Sequence, residues 1–205
     1  MEHFLLALPA VFFVVDPIAA VPLFLAMTAR DSPDKARAMA RRASIAGALL
    51  LIFFALFGGV VFRVFNVTLG AFRVAGGCLL FMTAMDMLRN RTSTTRTTDE
   101  ETKEGIEKED IAIVPLAIPL LSGPGSIATV MVLMAEGDGL IKGLSVISAI
   151  LITFIATFFM LAGAQRLQKV LGKSGIAVLQ RVFGLILASI AVEFVVAGGR
   201  ALWAT

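Results

Sequence analysis

Two motifs place residues capable of chemistry inside long apolar stretches of the chain. The first is Asp16-Pro17, and the second is Gly123-Pro124-Gly125-Ser126. A carboxylate in such a stretch normally faces a partner or a cavity, because placing it in hydrocarbon costs several kcal/mol. Asp16 can therefore bind a substrate ammonium, carry a coupling proton or cap a helix, and the sequence leaves these three roles open.

The prolines predict that a helix ends and restarts at each motif. A proline lacks the N–H of a helical hydrogen bond and disfavours helical angles in the preceding residue. Asp-Pro is also a common helix start, and the free N–H groups of such a start suit an anionic group such as a carboxylate. The candidate substrate-binding residues are therefore Asp16, Pro17, Ile18, Ala19, Gly123, Pro124, Gly125, Ser126 and Thr129.

Two further charged residues in apolar stretches are candidates, together with Asp16, for ion pairing or proton coupling. Arg73 can pair with Asp16 or Glu193, or it can extend its guanidinium to the outer surface. Glu193 is the weaker candidate for a coupling proton. The small residues Gly76, Gly77, Gly184, Ser145 and Ser148 are expected to allow close helix packing and to carry no chemistry.

Several chemistries are excluded by the residue counts. The chain has one histidine, His3, and one cysteine, Cys78, so it lacks the His/Cys ligands of a zinc or haem site and a redox cysteine pair. A Ser-His or Cys-His nucleophile would depend on His3, next to the terminus. We therefore expect no metal, no cofactor and no enzyme active site.

The composition identifies the elements that must position these motifs as membrane-spanning helices. Hydrophobic residues make up 58% of the 205 residues and charged residues 16%, with a mean hydropathy of +0.91, which a soluble surface cannot accommodate. Stretches of about 20 apolar residues cross a bilayer as helices. Six are predicted, over about Phe4–Met27, Ser44–Phe62, Val67–Leu88, Ile111–Met134, Leu144–Ala164 and Ile176–Gly198. Ser32-Pro33-Asp34 predicts a helix start that leads into the second.

The distribution of basic residues predicts the orientation of these helices. Three alternate loops carry thirteen lysines and arginines: Arg30, Lys35, Arg37, Arg41, Arg42, Arg89, Arg91, Arg96, Lys103, Lys108, Arg166, Lys169 and Lys173. The opposite side carries three: Arg63, Lys142 and Arg200. Because cytoplasmic loops are enriched in positive residues, both termini are expected to be periplasmic. This pattern also accounts for the pI near 9.4, so we expect no nucleic-acid partner.

The two halves of the chain resemble each other. Asp16-Pro17 and Gly123-Pro124 are separated by 107 residues, as are Asp86 and Glu193. Phe72 to Gly76 has a counterpart in Gln180 to Gly184 at a separation of 108 residues, which a single insertion reconciles. Three spans per half turn the second half over relative to the first, which is the inverted-repeat arrangement of many secondary transporters. The predicted architecture is an all-α membrane protein of two inverted three-helix repeats, with spans one and four broken at mid-membrane prolines. Residues 1–88 and 111–205 form the repeats, and residues 89–110 form a charged cytoplasmic linker.

Four segments resemble hallmark segments of the MarC family of bacterial inner-membrane proteins. They are Asp16 to Phe24 (DPIAAVPLF), Arg73 to Leu80 (RVAGGCLL), Pro115 to Leu133 (PLAIPLLSGPGSIATVMVL) and Arg181 to Ala191 (RVFGLILASIA). The resemblance covers essentially the whole chain and implies a relationship to lysine-exporter-like transporters, with some members linked to small neutral amino acids. Where the family usually has Gly-Asn, this chain has Ala19-Ala20, which removes a polar side chain from the implied site.

Together, these features predict a multi-pass protein of the bacterial inner membrane that transports small neutral amino acids or similar small polar metabolites. Its partners would be the lipid bilayer and a small-molecule substrate, with proton coupling and a homo-oligomer left open. The alternative is a non-transporting sensor or assembly protein that acts through the linker. A transporter should tolerate replacement of residues 89–110 by a neutral linker of adequate length, whereas a sensor or assembly protein should lose function.

Overall fold

A computed structural model describes residues 2–89, 112–135 and 139–203, and within these ranges the chain is helical with no strand. The helices are α1 (Glu2–Val15), α2 (Pro17–Met27), α3 (Pro33–Val64), α4 (Leu69–Leu88), α5 (Ala112–Leu121), α6 (Pro124–Ala135), α7 (Leu140–Ala162) and α8 (Ala164–Trp203). Helix α5 has wide, π-type turns, and non-helical backbone angles at Val114 and Ile118 interrupt it. Each of these two residues precedes a proline, which explains the interruptions.

Five stretches of the described residues are long and apolar enough to cross a membrane. They are His3–Met27, Pro33–Val64, Leu69–Leu88, Ile141–Ala162 and Ser174–Trp203. Helices α5 and α6 provide a sixth if they cross as one span, and their axes are bent by 59° at the break between them. The prediction of an all-α membrane protein is therefore confirmed, with five to six spans.

Helix α3 begins where the sequence predicts. The Ser32 hydroxyl accepts a hydrogen bond from the backbone N–H of Lys35 at 3.3 Å, and Pro33 occupies the first helical position. Asp31 pairs with the Lys35 ammonium at 2.7 Å, one turn along the chain. The helix then continues for 32 residues, so its first turns extend beyond an apolar span of about 20 residues. The predicted helix start is confirmed.

The last inter-helix connection differs from the sequence interpretation, which left a loop between Ala164 and Ile176. The structure continues α8 through this segment and interrupts it at Gly172, whose φ of 64° and ψ of 174° are not helical. The segment before Gly172 contains Leu, Gln, Arg and Lys, all good helix formers, and no proline, so it can continue the helix as far as this glycine. The predicted linker over residues 89–110 lies, apart from Arg89, outside the described residues.

Helices α4 and α8 run antiparallel and approach closely at glycines. A Cβ added at Gly77 of α4 would lie 2.8 Å from the Ala191 carbonyl oxygen and 2.7 Å from Val195 Cγ2. A Cβ added at Gly184 of α8 would lie 3.0 Å from Met87 Cβ. Small residues let helix backbones approach in membranes, where packing rather than hydrophobic burial drives association. The expected packing role of these glycines is confirmed.

Replacing Gly77 with alanine is expected to destabilise the helix pair. The new methyl group would overlap the α8 backbone, and overpacking of this kind typically costs about 1–3 kcal/mol. Gly199→Ala is the matched control, because this glycine lies in α8, the other helix of the pair, and has no atom within 4 Å of the added Cβ. The measurement is the fraction of protein that remains monodisperse after heating in detergent. Equal heat resistance of the two variants would contradict the packing role.

Candidate functional site

Asp16 forms the junction between α1 and α2. Its backbone has φ 51° and ψ 66°, the left-handed conformation, and its side chain is fully buried. Its N–H donates to the Phe12 carbonyl at 2.9 Å, which closes α1, and its Oδ1 accepts from the Ala19 N–H at 3.3 Å, which starts α2. Among residues with a Cβ, Asp and Asn are those that most readily adopt this conformation. The residue type therefore suits the junction.

The second junction lies between α5 and α6. Helix α5 ends at Leu121, and Pro124 begins α6, so Ser122 and Gly123 form the turn. The Gly123 carbonyl accepts a hydrogen bond from the Ile127 N–H at 3.0 Å, the first such bond of the new helix. Pro124 lacks a backbone N–H and suits a first helical position, where that group would have no intrahelical partner. The predicted pairing of Gly123 with Pro124 thus coincides with a helix start.

A single hydroxyl brings the two junctions together. Ser126 Oγ lies 3.4 Å from the Val14 carbonyl oxygen at the end of α1 and 3.3 Å from the Leu121 carbonyl oxygen at the end of α5. Both carbonyls belong to last turns of helices, whose acceptors lack intrahelical donors. Ser126 is buried and can donate to either of them. The two motifs recognised in the sequence are therefore adjacent in space.

Beside Ser126 lies a cavity of about 10 Å³, enough for about one water molecule. All four residues of the second motif line it, together with residues of α1 and α4. The lining residues are Val14, Leu79, Leu80, Thr83, Gly123, Pro124, Gly125 and Ser126. Leu80 occupies the space next to Gly125, since a Cβ added at this glycine would lie 2.9 Å from Leu80 Cδ2. The cavity at the start of α6 is therefore too small to hold an amino acid.

The hydroxyl groups near this cavity are engaged with backbone carbonyls. Thr129 Oγ1 donates to the Gly125 carbonyl at 2.9 Å, and Thr83 Oγ1 donates to the Leu79 carbonyl at 3.1 Å. A hydroxyl that donates once still has lone pairs to accept a hydrogen bond. Thr129 and Ser126 therefore keep lone pairs that can accept a hydrogen bond from a further donor.

The two other candidate charges lie away from the junctions along α4 and α8. Arg73 is half-buried against α8, where a Cβ added at Gly198 would lie 2.9 Å from Arg73 Cβ. It is seven residues from the cavity-lining Leu80, or about 10 Å along the helix. Glu193 is exposed on α8. The predicted pairing of Arg73 with Asp16 or Glu193 stays a prediction.

Ser122 is a structural link that the sequence interpretation did not include among the site residues. Its hydroxyl donates to the Gly47 carbonyl of α3 at 3.1 Å and is buried. Gly47 permits this approach, because an added Cβ would lie 2.5 Å from Phe154 Cε1 and 2.9 Å from Ser122 Oγ. The sequence feature that could have identified this link is a serine two residues before Pro124. The junction between α5 and α6 is thus fixed to α3 as well as to α1.

A larger cavity, of about 490 Å³, lies at one end of the helices. It is formed by the end of α2, the start of α3 and the connection from α7 to α8. Its polar lining residues are Thr28, Asp31, Arg37, Gln165 and Arg166. Its volume falls within the range of small-molecule sites, about 300–1,000 Å³. This cavity combines a carboxylate with two guanidinium groups at the end that the sequence predicts to be cytoplasmic.

Comparison with known proteins gives full-length matches. Residues 1–203 match the family described as MarC family integral membrane protein. A UPF0056 membrane protein of Methanocaldococcus jannaschii is 38% identical over 98% of this chain and 97% of its own length. The UPF0056 membrane protein YvbG of Bacillus subtilis is 36% identical over 95% and 92%, and YhcE of Escherichia coli is 28% identical over 94% and 89%. No solved structure matches the chain.

Proposed function

The chain belongs to the MarC family of integral membrane proteins, and we propose that it is a secondary transporter of small polar metabolites, with small neutral amino acids as the substrate class. The observation that carries the proposal is the Ser126 hydroxyl within hydrogen-bond distance of both Val14 and Leu121. This contact joins the start of α6 to the end of α1, two residues before the Asp16 junction with α2. The names of the similar proteins give no substrate, so the substrate class rests on chemistry.

The chemistry of the two junctions favours a zwitterionic substrate. The N-termini of α2 and α6 present backbone N–H groups and partial positive charge, which suit a carboxylate. Asp16 provides negative charge for an ammonium group at the same place. Gly125 and Ala19 leave little side-chain bulk beside these groups, which favours a small substrate. In the proposed binding state, Leu80 moves away from Gly125 and enlarges the cavity.

We infer that the two halves form an inverted repeat. The contacts of Gly77 and Gly184 support it, because Gly77 meets Ala191, Phe194 and Val195, while Gly184 meets Ala84, Met87 and Leu88. The glycines and each pair of corresponding partners are all separated by 107 residues, the separation of the two proline motifs. Helix pairings agree with this: α1 packs on α7 as α5 packs on α3, and α2 packs on α8 as α6 packs on α4.

The proposed repeats are packed differently at the two ends of the helices. Phe24 and Gln165 line the cavity of about 490 Å³. The residues 107 positions away from them are Met131 and Gly58, and these are in close contact, since a Cβ added at Gly58 would lie 2.8 Å from Met131 Cγ. This difference supports a conformation that is open toward the predicted cytoplasmic end and closed at the other. Rocking of one repeat against the other would exchange the two arrangements.

Transport by purified protein tests the proposal directly. Proteoliposomes should take up one or more labelled small neutral amino acids faster than protein-free liposomes of the same lipid. If a proton is coupled, a pH gradient across the membrane should change the rate. A panel that includes acidic, basic and large apolar amino acids defines the substrate class. No uptake or exchange of any panel member in either direction would count against the proposal.

Reporter fusions should locate the loops and decide how α5 and α6 cross the membrane. With six spans, fusions after Arg42, Arg96 and Lys173 should report cytoplasm, and fusions after Phe65, Gly139 and Thr205 should report periplasm. If the bent pair instead re-enters the side from which it came, Gly139 and Thr205 should report cytoplasm and Lys173 periplasm. That second pattern would rule out the inverted repeat.

A further inference from the structure

We propose that the groove between α3 and α7 binds an anionic phospholipid, with the phosphate at Arg41 and an acyl chain along the groove. The groove has a volume of about 390 Å³. Apart from Arg41 and Ser44 its lining is apolar, comprising Ile45, Ala48, Leu151, Phe154, Ile155, Phe158 and Phe159. Ile45, Ile155 and Phe159 are more than half exposed on the outer face of the helices. In a bilayer this face meets lipid.

Positive charge is concentrated at one end of the groove. Arg41 is exposed there, and Arg37 lies one turn earlier on the same face of α3. Arg37 and Arg166 line the adjoining cavity, which shares Phe158 and Phe159 with the groove. Guanidinium groups bind phosphate oxygens through paired, charge-assisted hydrogen bonds. Basic pockets between membrane helices are suited to anionic lipid headgroups.

Ser44 supplies a second polar group at the appropriate depth. It is 5% exposed, and among the described residues its hydroxyl has no hydrogen-bond partner. A buried hydroxyl without a partner is uncommon and costly. Ser44 follows Arg41 by three residues, or about 4.5 Å along the helix, so both lie on one face. A phospholipid carries its ester oxygens in this relation to its phosphate.

The order of groups along α3 favours a phospholipid over inorganic phosphate as the occupant of the groove. From the helix start inward, the face presents two guanidinium groups, a hydroxyl and then apolar side chains, which is the order phosphate, ester and acyl chain in a phospholipid. Inorganic phosphate would leave the apolar groove without an occupant. The inference does not depend on transport, because it uses only α3, α7 and the start of α8.

Native mass spectrometry of the purified full-length protein tests the inference. Phosphatidylglycerol and phosphatidylcholine with identical acyl chains are added in turn, and a third sample receives inorganic phosphate. Phosphatidylglycerol should bind preferentially, and Arg41→Gln should lower its apparent affinity by about fivefold, the expected loss for one basic residue at a lipid surface. Arg63→Gln is the matched control, because it removes an exposed arginine from the other end of α3.

Two outcomes would overturn the inference. One is equal binding of the two phospholipids by the unmodified protein. The other is an equal loss of binding in Arg41→Gln and Arg63→Gln. If Arg41→Gln does not fold, the test instead compares the heat resistance of the unmodified protein with that of Ser44→Ala, each in the presence of added lipid or inorganic phosphate. Phosphatidylglycerol should then protect against heat more than phosphatidylcholine or inorganic phosphate, and less so in Ser44→Ala; equal protection would contradict the lipid site.

Discussion

Asp16→Asn is expected to fold and reach the membrane but to lose transport or its pH dependence. Asparagine has the same size, is nearly as good a helix cap and tolerates the left-handed backbone of residue 16. The α1–α2 junction should therefore persist. The change removes the negative charge that would bind an ammonium and the proton that would be coupled. The measurement is amino-acid uptake in proteoliposomes over a range of pH.

Asp16→Ala separates the chemical role from the structural role of this residue. Alanine loses the hydrogen bond from the Ala19 N–H, with a capping cost of about 1 kcal/mol. It must also adopt a left-handed conformation, which costs roughly another 1–2 kcal/mol. The alanine variant should thus be less abundant and less heat-resistant than the asparagine variant. Unchanged pH-dependent transport by Asp16→Asn, with only the alanine variant unstable, would reduce Asp16 to a helix cap.

Gly58→Val should shift the protein toward a conformation open at the predicted periplasmic end. The valine side chain would overlap Met131, whose Cγ already lies 2.8 Å from an added Cβ. Overpacking costs about 1–3 kcal/mol, and this would shift the ratio of open to closed protein by roughly 5- to 150-fold. Gly59→Val is the matched control, since no atom lies within 4 Å of its added Cβ.

The shift can be measured by labelling a cysteine at the junction. In a Cys78→Ala background, Ser126→Cys introduces a thiol at a buried position beside the closed cavity. A membrane-impermeant maleimide added from the periplasmic side should label it faster when Gly58→Val is also present. Equal labelling rates in the Gly58→Val and Gly59→Val proteins would mean that Met131 and Gly58 do not form a gate.

Local signals accounted for several helix boundaries. Ser32-Pro33 predicted the start of α3, and Asp16-Pro17 and Gly123-Pro124 predicted helix starts where α2 and α6 begin. Such signals can be read from the sequence because capping side chains and prolines act on backbone groups within three or four residues. The segment before Gly172 was assigned to a loop because it is polar, but polar residues such as Gln, Arg and Lys also favour helix.

The amino-acid sequence was sufficient to predict a membrane protein of six spans, against five to six candidate spans in the structure, and to identify the MarC family. These depend on composition, on the length of apolar stretches and on ordered motifs, none of which requires tertiary contacts. Tertiary contacts were needed to show that Ser126 lies within hydrogen-bond distance of both junctions, that Ser122 donates to the Gly47 carbonyl and that Leu80 packs beside Gly125. Membrane helices are apolar on every side, so hydrophobic periodicity does not distinguish a face that meets lipid from one that meets another helix. Only the shapes of side chains brought together from distant segments make that choice.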